Sequence, residues 1–585
     1  MPGAKRKRTP RRRGDFSAYL ADDWKQWLTE YPELATVLGF PGLNDRWRDD
    51  SPEGIERRRR HLASSRSTLL GFDRDDLPAN ERLSCDLYRG LLEDAEAGLR
   101  FGHDPLPFCL GSPFNLWMPL NQLEGIHVTA SDMADLQPHE RLSDYTDLLA
   151  RLRSLPTAIE QTQALLEAGR ARGYTPARIA VRGVPDQISN LVTTEPLASA
   201  LLKPFSDFPA SVGEADRHRL VDEARAIYLD RVAPSLERLR VYYRSRYLPA
   251  CREKVAVSSL PNGAEAYRFL VRWTTTTDLS PQQIHDIGLA EVRRIRAALE
   301  ALMVKTGFSG TFDEFKRFLR EDPRFFWTRG EELVDGYRII AKKVDPQLGH
   351  LFGRLPRLPY GVVPVPRFKE AASPTAYYIP GAPTTGRPGQ FFTNTYRVGI
   401  RPRWEMEALT LHEAVPGHHL QIALAQELQN LPDFRQQTGP TAYVEGWGLY
   451  AESLGEELGC YQDPYSKVGQ LTFDMWRSIR LVVDTGMHAL GWTRERAIEF
   501  FRENTGMSDV GIEVEVDRYI VWPGQALAYK IGQLKLRELR TLAERRLGGR
   551  FDVRGFHDLV LGEGALPLRD LEARVKKWIG SRAAA

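Results

Sequence analysis

The sequence predicts a mainly α-helical body in two lobes around a cleft, with a small β-element beside one functional helix. Three observations carry this expectation. Apolar residues recur at helical spacing over most of the 585 residues, often behind recognisable start signals. Only residues 377–396 set aromatic and threonine residues between proline and glycine punctuation, in the manner of short strands or a hairpin. The proline-rich region 355–389 then makes a natural break between an N-terminal helical lobe, 15–355, and a second lobe, 356–585. A single intertwined body is the alternative at this length.

Taken in order, residues 1–14 are a basic tail, expected to be a disordered and solvated arm. Its seven Lys and Arg residues outweigh the formal net charge of +3, so the remainder of the chain is net acidic. Residues 15–100 alternate helical patterns with short polar breaks, and 102–127, with Pro105, Pro107, Pro113 and Pro119, read as an irregular segment lining the cleft. Helical periodicity returns over 132–170 and 215–250. Ser280-Pro281-Gln282-Gln283 is a helix start: a serine cap, proline in the first turn and glutamine where a capping box needs it. Ile284, Ile287, Val292, Ile295, Leu299 and Leu302 follow as an apolar stripe, and His285 reads as structural. The charged stretch 533–580 reads as a pair of packing helices.

Composition narrows the class. Hydrophobic content of 42% with 27% charged residues is that of a soluble globular protein. No run approaches the ~18 apolar residues of a membrane span, and the basic tail lacks the apolar core of a secretory signal. Cys85, Cys109, Cys251 and Cys460 are too scattered for a metal knuckle or a disulfide framework and fit reduced thiols in the cytoplasm. Neither a phosphate-binding Walker loop nor a Gly-x-Ser-x-Gly elbow occurs. Neither a nucleic-acid nor a membrane partner is expected, and monomer and homodimer both remain open.

The chemistry concentrates in His412-Glu413-Ala414-Val415-Pro416-Gly417-His418-His419, which holds three of the twelve histidines. Imidazole is the commonest side-chain ligand for zinc, and a neighbouring carboxylate can serve as general base. The usual H-E-x-x-H pattern places two histidines one helical turn apart. Here the spacing is two residues longer, and on an unbroken helix His419 would lie ~10.5 Å along the axis from His412. That is too far for two nitrogens that must each sit ~2.0–2.1 Å from one ion. Pro416 and Gly417 supply a bulge that returns His418 to the ligand position, with His419 beside it in a supporting role.

Zinc needs a third ligand. Thr441–Glu452 reads as a helix carrying Glu445 and Glu452 two turns apart on one face; Glu445 is the expected ligand and Glu452 the residue that orients a histidine. Arg480, Asp484 and His488 then recur at four-residue spacing among apolar neighbours. Asp484 is expected to accept a hydrogen bond from a liganding histidine and His488 to polarise a carbonyl, unless Arg480 and Asp484 simply form an ion pair. Tyr529 and Tyr519 are candidate donors to an oxyanion, and Arg518, Lys530 or Arg480 candidates to hold a substrate carboxylate. The β-like segment offers an edge for an extended peptide.

HEAVPGHH, EGWGLYAE, RLVVDTGMHALGW and WPGQALAYKIG, with TTTTDLSPQQIHDIGLAEV from Thr274, stand in one order along residues 230–540. In this the chain resembles the bacterial family catalogued as domain of unknown function 885, which is placed among zincin-like metallopeptidases. The resemblance implies a mainly helical zinc hydrolase of gluzincin type, akin to oligopeptidases and dipeptidyl carboxypeptidases. Gly417-His418 matches the Gly-His pair that closes their motif, and dipeptidyl peptidase III offers a precedent for an expanded motif. The expected activity is zinc-dependent cleavage of short peptides: His412, His418 and Glu445 as ligands, Glu413 as base, Tyr529 or His488 on the oxyanion, Arg518 on substrate. An amidase or deacylase acting on a non-peptide metabolite, and a non-catalytic metal-containing binding protein, are the alternatives.

Overall fold

The computed structural model describes residues 14–108, 112–367, 370, 373–382, 386–429 and 431–584. Residues 1–13 of the expected basic tail, and Cys109, lie outside the described residues. Gly14 already belongs to a helix, Gly14–Glu30. The protein is mainly helical with one three-stranded sheet. Its described residues divide into two compact units, with the change near residue 266: those within 14–108, 113–266 and 432–434 form one, and those within 112, 267–431 and 435–584 the other.

The first unit is built on helices that include Pro52–Leu69, Ala79–Gly98 and Leu142–Ala171. Residues 102–108 and 112–125 carry the irregular segment anticipated from their prolines, and a helix starts at Ile126. Glu214–Ile227 continues through two wider turns to Ala250, matching the periodicity over 215–250.

The second unit contains every candidate site residue. Its helix α1, Pro281–Lys305, starts with the anticipated capping box: Ser280 N–H donates to Gln283 Oε1 at 2.9 Å, and Gln283 N–H to Ser280 Oγ at 3.3 Å. His285 is structural, its Nδ1 2.9 Å from Thr485 Oγ1. Strands β1 (Tyr360–Pro364), β2 (Ala376–Ile379) and β3 (Gly389–Thr393) follow in the order β1-β3-β2. β2 runs antiparallel to β3, Tyr378 facing Phe391, while β1 pairs parallel to it. The proline-rich region supplies an edge strand; Pro364 is tolerated at its end, where a missing N–H costs little.

Six further helices carry the site: α2 (Met406–Glu413), α3 (His418–Glu427), α4 (Thr441–Ser453), α5 (Pro464–Ala489), α6 (Asp509–Val521) and α7 (Ala528–Leu547). α1 lies along α5, where Gly288 is so close that a Cβ there would meet Leu481 Cβ at 2.8 Å. α4 and α7 approach closer still: a Cβ on Gly446 would lie 2.5 Å from Gly532 Cα. Only glycines allow that approach, which explains why both motifs carry them. Two more helices, Val553–Leu561 and Leu568–Ala584, end the chain, so 533–580 holds parts of three helices rather than a pair.

Candidate metal centre

The extended motif is resolved by a complete break. α2 ends at Glu413, the chain turns through Ala414–Gly417 with a cis Val415–Pro416 bond, and α3 begins at His418. His419 N–H donates back to Ala414 O at 3.1 Å, spanning five residues where a helix spans four. Gly417 is pressed onto the preceding turn; a Cβ there would lie 1.9 Å from His412 O. Trp447, fully buried on α4, pins the turn by donating from Nε1 to Pro416 O at 2.8 Å.

This turn aims His418, not His419, at His412. The two rings stand edge to face with centroids 4.7 Å apart. Glu445 Oε2 lies 3.6 Å from His412 Nε2 and 3.6 Å from His418 Nε2, and the three ligand atoms fall within 4.8 Å of one another. Two donors each ~2.0–2.2 Å from a tetrahedral zinc stand ~3.3–3.6 Å apart. Both histidine–glutamate separations fit that spacing and are long for direct hydrogen bonds. Gly448 makes room on α4, since a Cβ there would meet His412 Cε1 at 2.8 Å.

The partners behind the ligands also suit a metal. His412 Nδ1 lies 2.8 Å from Glu452 Oε1, which fixes the proton on Nδ1 and leaves Nε2 free to ligate. Burial by itself would lower the basicity of His412. The nearby Glu445 carboxylate, the bond to Glu452 and the charge of Glu413 overcome it and push the ring up to about 10. Burial would likewise raise Glu445, yet its contacts with His412 and His418 hold it well below the usual carboxylate range. The pocket thus favours positive charge, and the three donors fit zinc. Because a bound cation replaces the extra proton on His412, zinc affinity should rise as pH goes from 6 to 8; chelator competition reads this, and a flat profile contradicts it. Glu452→Gln should weaken zinc binding by about 10–100-fold in the same assay.

Other expected site residues are placed differently. His419 faces away from the ligand set: its Nδ1 is 2.9 Å from the Tyr378 hydroxyl and its ring lies against Tyr360. Burial lowers it to about 4, so it is a neutral packing residue of the β-sheet side. Asp484 supports neither histidine and does not pair with Arg480. It accepts from Tyr267 Oη at 2.5 Å and from the Gly524 amide at 3.0 Å, and burial raises it to about 7. It thereby anchors the turn that leads into α7. His488 is fully buried, with Nε2 2.9 Å from the Tyr519 carbonyl and its ring beside Tyr267. A group so engaged is not available to polarise a substrate carbonyl.

Lys530 is likewise withdrawn. It is fully buried, pairs with Asp474, and reaches Glu291 Oε2 and Gln533 Oε1 at 2.8 Å each. Lys530→Met should cost about 3–5 kcal/mol, the usual result of stranding a buried charge, seen as a lower unfolding midpoint; a near-natural midpoint would refute this. Tyr519 is spent on Glu515 and Arg480, accepting from Arg480 Nε at 2.9 Å. Tyr529 remains, with Arg518 Nη2 3.5 Å from its hydroxyl. Arg477, not singled out from the sequence, lies buried on α5 with Nη2 3.9 Å from Glu452 Oε1. Its spacing of three from Arg480 was the available signal.

The profile of the bacterial proteins of unknown function DUF885 matches residues 32–575. The chain belongs to this family. It is also similar to a solved structure described as "the putative lipoprotein from Colwellia psychrerythraea", with 27% identity, a TM-score of 0.89 and coverage of 97% of this chain and 99% of that one. A "putative lipoprotein of unknown function from Shewanella oneidensis" has the same fold, with TM-score 0.72 at 15% identity over 96% and 98% of the two chains. No curated protein matches. Among the described residues, no helix of this DUF885 member is long and apolar enough to cross a membrane.

Proposed function

We propose that this chain is a zinc-dependent, zincin-like hydrolase that cleaves peptide bonds of short peptides. The observation that carries the reading is the convergence of His412 Nε2, His418 Nε2 and a Glu445 oxygen, with Glu413 one residue from the first ligand. Zinc on these three would supply Lewis acidity, making a water nucleophilic near neutrality and polarising a carbonyl. Glu413 takes the proton of the attacking water on its carboxylate and returns it to the leaving nitrogen. Glu452 holds His412 in one tautomer and orientation. Tyr529 is the candidate donor that remains for an oxyanion, since His488 and Tyr519 are committed elsewhere. β2 is an edge strand that approaches α2, a position from which it can pair with an extended substrate.

The test joins metal and activity. Protein supplied with zinc is expected to retain about one ion per chain and to hydrolyse members of a tripeptide library. Cleavage of acylated non-peptide amides alone would move the reading to a deacylase; metal retention with peptide binding and no hydrolysis would make the chain a binding protein. Free, buried Cys85, Cys251 and Cys460 support a cytoplasmic location. Cell fractionation checks that, with recovery in the membrane fraction as the opposing result.

A further inference from the structure

Around Tyr529 the second unit holds a cluster of cationic and N–H donors, Arg480, Arg518 and Trp522, that the proposed hydrolysis does not use. Arg480, 3% exposed, stacks its guanidinium 4.6 Å from the centroid of Tyr529. Arg518 reaches the hydroxyl of the same tyrosine at 3.5 Å and Gln525 Oε1 at 3.0 Å. One carboxylate serves both arginines: Glu515 lies 3.2 Å from Arg480 and 3.7 Å from Arg518. Two guanidinium groups against one carboxylate leave an excess positive charge where water is scarce, an arrangement that costs free energy unless an anion completes it.

The unsatisfied atoms agree in kind. Arg480 Nη1, Arg518 Nε and Trp522 Nε1 are buried and have no hydrogen-bond partner. All three are donors that cannot accept, so what completes them must be an acceptor with several lone pairs. The site is reachable from outside, because the Arg518 side chain keeps 22% exposure.

Its place relative to the metal ligands follows from two helices. Tyr529 stands one turn before Gly532, which meets Gly446 beside Glu445. Arg480 stands one turn after Arg477, which touches the Glu452 that holds His412. On each path one helical turn of ~5.4 Å separates a cluster residue from one that adjoins the ligand set, a spacing of the order of a residue or two of extended substrate.

We infer that Arg480 and Arg518, both against Tyr529, with Trp522 beside Arg518, form a subsite for a free carboxylate lying just downstream of the scissile amide, so that the hydrolase acts next to a C-terminus. This rests on the proposed hydrolase reading and deepens it. A fork of guanidinium donors matches the planar carboxylate, and the same group is carried by the C-terminus of a peptide and by an N-acyl amino acid.

The experiment compares a tripeptide library with free C-termini against the same library amidated, with N-acetyl amino acids as a third arm. Each is offered to zinc-supplied wild-type protein for hydrolysis and to E413Q for binding by native mass spectrometry. The expected result is a preference for the free acid on the order of 100-fold in cleavage, the size expected when charged donors exchange an ionised acceptor for a neutral one. The same order should appear in binding. R518M should flatten the preference to a few fold, and the wild-type comparison stands even if that variant folds poorly. Cleavage of N-acetyl amino acids in place of peptides assigns the carboxylate to that source. Equal handling of acid and amide, or no binding of either, overturns the subsite. Preferential binding without any hydrolysis keeps the subsite and refutes the hydrolase; hydrolysis without preference does the reverse.

Discussion

Glu413→Gln is expected to retain zinc at the level of the natural protein while losing turnover by at least about 10²–10⁴-fold, the range of general-base effects. The change keeps size and hydrogen-bonding shape but removes the group that accepts the proton. Glu413 is adjacent in sequence to His412, yet it lies outside the candidate ligand group of His412, His418 and Glu445. Metal content and rate should therefore separate. Glu413 also contributes to the positive-charge preference of His412, so a small loss of zinc affinity accompanies the large loss of rate. If the variant turns over peptides at near-natural rates, Glu413 is not the base. If it loses zinc together with activity, it is a ligand and the assignment of Glu445 must be revised.

The parts of the site that the sequence disclosed are those whose chemistry is local. His412, Glu413 and His418 fall within seven residues, and Glu445 with Glu452 share a helix face, so spacing alone groups each set. The capping box at Ser280 was legible for the same reason. Residues whose partners lie far along the chain could not be placed by spacing. Asp484 is held by Tyr267 and Gly524, Lys530 by Glu291 and Asp474, and His488 by the Tyr519 carbonyl. Charge on an apolar stripe says that a partner exists without saying which. β1 was hidden by Pro359 and Pro364, because proline argues against a strand unless the strand is known to be an edge. Composition marks a break at 355–389, whereas packing joins α1 to the second unit through its contact with α5, a long-range contact that composition does not register.

The two neighbouring histidines give the remaining large effect. His418→Ala should strip the protein of zinc, whereas His419→Ala should leave close to one ion per chain and act on stability instead. Geometry separates them: His418 Nε2 faces the Glu445 oxygen at 3.6 Å, while His419 is turned by about one residue's rotation of α3 toward Tyr378 and Tyr360. Removing one of three protein ligands leaves a two-donor site, too few for zinc to be held against ordinary buffers. Truncating His419 costs a hydrogen bond and a buried ring contact, about 1–3 kcal/mol, visible as a lower melting temperature. Elemental mass spectrometry of both variants beside the natural protein decides the matter. Loss of zinc in His419→Ala with retention in His418→Ala would mean that the turn at Pro416-Gly417 presents the other histidine, and the ligand set would have to be rebuilt around it. Retention in both would mean that neither completes the site with His412 and Glu445, and the metal-centred reading would fall with them.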